Sequence, residues 1–62
     1  MNRIVTVPGR KHRGKLYVGE LLPLREAASR AGMMAFVVRE TTATACTIEE
    51  CSPYTPGAFF PR

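Results

Sequence analysis

Tryptophan and aspartate are missing from this 62-residue chain, histidine occurs once and cysteine twice. Each gap closes a class of chemistry. A nucleophile, base and orienting carboxylate cannot be assembled around His12 alone. Glu49 and Glu50 are adjacent, so on a strand they point to opposite faces and do not cooperate as a carboxylate pair. His12, Cys46 and Cys51 offer three soft ligands where a structural zinc site wants four. No apolar run approaches the roughly 18 residues that cross a bilayer, and Met1-Asn2-Arg3-Ile4 does not open a signal peptide. These gaps predict a cytoplasmic protein that is not an enzyme, with no metal, cofactor, membrane or small-molecule substrate. In that setting Cys46 and Cys51 are expected as reduced thiols, and an extended step between them overreaches the span of a disulfide.

What is present is charge, and it is unevenly placed. The formal net charge is +4. Residues 1–19 carry Arg3, Arg10, Lys11, Arg13 and Lys15 and no acid, whereas the rest carries four bases against five glutamates. Four of the bases, with His12 among them, fall between positions 10 and 15. A field of that density attracts phosphates or an acidic protein surface and speeds encounter with either.

Apolar residues make up 45% of the chain, enough for one small core close to the lower size limit for unaided folding. Arg3-Ile4-Val5-Thr6-Val7 is β-branched and reads as a strand stopped by Pro8-Gly9. Residues 10–14 read as a polar loop, and Lys15-Leu16-Tyr17-Val18 as a second strand able to pair with the first in a loose hairpin. Pro23 suits the first turn of a helix over about 23–32. There Leu24, Ala27, Ala28 and Ala31 form one apolar stripe and Gly32 supplies the stop. Met33 to Val38 reads as a central strand, with Ala43 to Ile48 pairing across a longer or bulged connection. The order β-β-α-β-β predicts an α+β domain over 1–51, a small antiparallel sheet with one helix on a face. Three prolines and a glycine in the final eleven residues predict an extended or disordered tail over 52–62.

Two motif matches fail on inspection. Gly9-Arg10-Lys11-His12-Arg13-Gly14-Lys15 fits a phosphate-binding loop, but Leu16 stands where a hydroxyl must hold magnesium, and strand rather than helix follows. Leu24 to Met33 resembles the first helix and turn of a helix-turn-helix, yet β-rich sequence follows where a recognition helix belongs.

The better reading of residues 10–15 is a basic contact loop. Arg10, Lys11, His12, Arg13 and Lys15, with Tyr17 beside them, are the candidate partner-binding residues, and Phe59 and Phe60 in the tail are candidate aromatic anchors. In format, and in the stretch Pro8-Gly9-Arg10-Lys11-His12-Arg13-Gly14-Lys15-Leu16-Tyr17-Val18-Gly19-Glu20, the chain resembles small bacteriophage host-takeover proteins, including inhibitors that bind bacterial RNA polymerase. The resemblance implies a non-enzymatic regulator in the host cytoplasm that binds RNA polymerase and blocks transcription by occupying a surface. The alternative is a small nucleic-acid-binding module using the same loop on phosphates.

Overall fold

The computed structural model describes residues 2–8, 11–12, 15–16, 21–42 and 44–61. Its elements are strands β1 (Ile4–Pro8), β2 (Lys11–His12) and β3 (Lys15–Leu16), helix α1 (Leu22–Arg30), and strands β4 (Phe36–Thr41) and β5 (Ala45–Glu50). The fold is α+β: one helix lies against a three-stranded antiparallel sheet in the order β1-β5-β4, and β2 and β3 form a separate two-stranded ladder.

This corrects the β-β-α-β-β order. Among the described residues of the predicted second strand, Lys15 and Leu16 pair with His12 and Lys11, not with the first strand. The first strand pairs with β5, from Ile4 opposite Glu49 to Pro8 opposite Ala45. The central strand is therefore β5, while of the apolar stretch Met33 to Val38 only Phe36–Val38 is strand, in β4 at the side of the sheet. Central placement suits β5 because its alternation buries Cys46 and Ile48 beneath the helix, and both of its backbone edges are hydrogen-bonded.

Alternation also fixes the faces of β1. Val5 is half-buried and Val7 buried, while Ile4, Thr6 and Pro8 are exposed. The amide of Glu50 donates to the carbonyl of Arg3 at 2.8 Å. Backbone groups alternate in direction along an antiparallel strand, so Arg3, Val5 and Val7 bond toward β5, and Ile4, Thr6 and Pro8 turn theirs outward. Pro8 thus occupies a position whose missing N–H costs the sheet nothing, the usual condition for proline in a strand.

Between β4 and β5 the register shifts at Val38/Glu40, leaving Arg39 as a bulge, and its guanidinium reaches Glu49 at 3.0 Å. The strands join through Thr42, whose hydroxyl accepts the amides of Ala45 at 3.0 Å and Thr44 at 3.3 Å. A threonine side chain here bonds the turn's backbone as Asn or Asp does in an Asx-turn.

Helix α1 carries proline in its first turn and ends in two reversed bonds: Gly32 N–H to the Ser29 carbonyl at 3.0 Å and Met33 N–H to the Ala28 carbonyl at 2.9 Å. That pattern needs a left-handed residue after the cap, and Gly32 supplies it at φ 76°. The helix buries Leu24 and Ala28, with Ala27 and Ala31 half-buried beside them. Small residues in this stripe let the helix approach the sheet closely. The core is Val7, Leu24, Ala28, Met33, Phe36, Cys46 and Ile48. Each large member contributes about 1.5–3 kcal/mol by leaving water.

From Ser52 the chain turns twice, through Thr55 N–H to the Ser52 carbonyl at 3.0 Å and Ala58 N–H to the Thr55 carbonyl at 3.1 Å. Phe59 then returns to the outer edge of β4. It exchanges both backbone bonds with Phe36, at 2.9 and 2.8 Å, and sets its ring 5.7 Å from the Phe36 ring.

Candidate binding surface

The cationic segment supplies the ladder of β2 and β3. Lys11 pairs with Leu16 and His12 with Lys15, which leaves Arg13 and Gly14 between the paired positions. Three of the candidate contact residues, Lys11, His12 and Lys15, therefore share one short ladder, off the sheet that holds the core. Arg10, Arg13 and Tyr17 lie outside the described residues.

The tail aromatics have unlike surroundings. Phe59 is half-buried and packs on the core. Phe60 is 48% exposed, and its carbonyl accepts from the Arg25 guanidinium at 3.2 Å, tying the segment to α1. Tyr54, at 92% exposed, is the barest aromatic described. A partner meeting this end of the molecule would find Tyr54 and Phe60, while Phe59 is taken up by the protein itself.

One member of the basic N-terminal third is also used internally. The Arg3 guanidinium meets Glu50 through Nε to Oε1 at 3.0 Å and Nη2 to Oε2 at 3.2 Å. It also donates to the carbonyls of Ala31, through Nη1, and Gly32, through Nη2 at 2.9 Å. Arg3 thus places a cation at the negative end of α1, where the helix dipole favours it, and clamps that end to the sheet. Hydrogen bonding from Arg3 holds the Glu50 carboxyl below its ordinary 4.5, against a partial desolvation that pushes upward, and the Arg3 charge adds to the lowering. By composition Arg3 belongs to the unopposed positive charge of residues 1–19. Only the β1–β5 register, which sets Arg3 beside Glu50, could have revealed its use.

A second feature went unread. Beside β1, under the flank of α1, runs a shallow groove floored by Val5, Val7, Pro8, Pro23, Ala27 and Ala31 and rimmed by Glu26 and Arg30. Glu26 and Arg30 pair at 3.5 Å with both side chains largely exposed.

Among the described residues no three His, Cys, Asp or Glu side chains come together as metal ligands, and no helix is long and apolar enough to cross a membrane. Cys46 is buried and Cys51 half-buried, and both are free. Comparison with protein-family models, with curated proteins and with solved structures finds no match.

Proposed function

We propose that this protein is a non-enzymatic regulator that binds a bacterial macromolecular machine, RNA polymerase first among them, and inhibits transcription by occupying its surface. The observation that carries the reading is the separation of charge from core. Lys11, His12 and Lys15 belong to a ladder of their own, separate from the three-stranded sheet. Cations in such a position steer association with an acidic surface, and Arg adds bidentate pairing to carboxylates. Phe60 and Tyr54 supply exposed aromatic area of the kind that anchors interfaces. The likeness of residues 8–20 to phage host-takeover proteins selects RNA polymerase as the partner and the host cytoplasm as the place.

The test is transcription by purified bacterial RNA polymerase with the protein added, beside a variant carrying Arg10→Ala, Lys11→Ala and Arg13→Ala together. Inhibition by the parent, lost in a variant that keeps its melting temperature, supports the proposal. A variant that unfolds shows that the segment is structural and removes the ground for the reading. Titration with duplex and single-stranded DNA at two salt concentrations completes it. Micromolar binding that falls steeply with salt, without inhibition of polymerase, transfers the same residues to phosphate recognition.

A further inference from the structure

We infer that β1 is the seam of a symmetric dimer, pairing antiparallel with β1 of a second copy so that two three-stranded sheets become one of six. The inference starts from an edge that no described residue pairs. Ile4 and Thr6 direct their backbone N–H and C=O groups away from β5, and no described backbone group takes them up. Ile4 is also 61% exposed. An unpaired edge of this kind is a template for another strand.

The outward groups set the register. With Pro8 unable to donate, the pairing in which Ile4 and Thr6 use both their outward N–H and their outward C=O groups within β1 sets Ile4 opposite the second copy's Thr6 and Thr6 opposite its Ile4. The twofold axis then passes at Val5. Such an interface is isologous, each surface meeting itself.

The helix agrees with that axis independently. Arg3 bonds the carbonyls of Ala31 and Gly32, so the start of β1 lies at the C-terminal end of α1. Pro8 and Pro23 line the same groove, so the helix runs back along the strand. Val5 consequently lies level with the middle of α1, between Glu26 and Arg30. A twofold there brings Glu26 of each copy toward Arg30 of the other, two complementary pairs from one exposed acid and one exposed base. The intramolecular pair they give up is exposed and weakly held.

Spacing agrees as well. A helix that rests over β1 and β5 sits roughly half a strand spacing inside β1. Two such helices related by the seam then lie about 10 Å apart, given strands about 4.8 Å apart, which is the ordinary helix–helix packing distance. The apolar groove between strand and helix would be closed by its own copy.

Sedimentation and light scattering of the full chain, from roughly 1 µM to 1 mM, test the inference over the range of weak to moderate association. The expected result is a concentration-dependent dimer in which the Ile4 and Thr6 amides gain protection from hydrogen exchange as concentration rises. Glu26→Arg alone and Arg30→Glu alone should each weaken dimerisation by roughly tenfold or more through like charges across the seam, and the two together should restore it. Thr6→Pro, which removes an outward N–H only, should give a monomer. If that variant fails to fold, the charge-swap series decides. A protein that stays monomeric throughout overturns the inference, leaving the edge to its own chain or to a foreign strand. So does a dimer indifferent to both Glu26→Arg and Arg30→Glu, or one without protection at Ile4 and Thr6.

Discussion

Two adjacent phenylalanines give a sharp test, because the same substitution should have unlike consequences one residue apart. Phe59→Ala removes a half-buried ring that packs on the core and meets Phe36 at 5.7 Å. Full truncation of a buried Phe costs about 3–5 kcal/mol, so half-burial accounts for about 2 kcal/mol. The lost ring pair is worth about 0.5–1.5 kcal/mol on top of area, which places the total near 2.5–3.5 kcal/mol. A 62-residue domain holds roughly 3–9 kcal/mol in all, so the variant keeps only part of its stability. At about 4–8 °C per kcal/mol for a domain of this size, the melting temperature should drop by roughly 10–28 °C. Phe60→Ala should cost within about 0.5 kcal/mol, because the ring is exposed and the Arg25 bond is made to the backbone carbonyl. Circular dichroism melts of the three proteins under one condition are the assay. Equal losses from the two substitutions, or a larger one from Phe60→Ala, would refute the placement of the C-terminal segment on β4.

Gly32→Ala should destabilise by about 1 kcal/mol, since φ 76° is a conformation that side chains rarely adopt and the new Cβ would stand 3.5 Å from the Arg3 guanidinium; denaturant titration measures it. Stability should also depend on acid through Glu50. Its carboxyl is held below 4.5 in the folded state, so its contribution is fully present above that value and is lost as pH falls through the lowered one. The melting-temperature gap between the parent and Arg3→Met should therefore narrow between about pH 6 and about pH 3. A gap that widens toward acid would show that Arg3 does not act through the ionised carboxylate.

The parts of the fold that local sequence could specify were legible. Pro23, the stripe of Leu24, Ala27, Ala28 and Ala31, and Gly32 mark a helix by rules that operate within one or two turns, and α1 ends with Gly32 just beyond its cap as those rules require. Ile4 to Val7 is a strand by composition, as β1 is. What was not legible was who pairs with whom. Assigning β1 to the next β-prone segment follows the habit of neighbouring strands. The real partner begins at Ala45, and its fitness rests on burying Cys46 and Ile48 over both neighbours at once, a property of the assembled sheet.

The candidate site was legible to the same degree. The clustering of Arg10, Lys11, Arg13 and Lys15 is a fact of composition. That Lys11 and Lys15 share a ladder apart from the sheet, that Arg3 is engaged by Glu50, and that Phe59 and Phe60 have opposite fates all depend on register. A run of Pro and aromatic residues carries no local mark of whether it leaves a domain or returns to it. Neither β1 alone nor α1 alone hints at the groove between them.

The central position of β5 has a consequence for how the molecule is made. A ribosome delivers Ile4 to Pro8 early, and that strand then waits while some forty residues follow before Ala45 to Glu50 emerges to meet it. Until then the N-terminal segment is a β-prone peptide with no mate, trailing a cationic stretch that is already complete. Closing so distant a pairing costs loop entropy before any contact repays it. The newborn chain therefore passes through a period in which its charge is on display and its sheet does not yet exist.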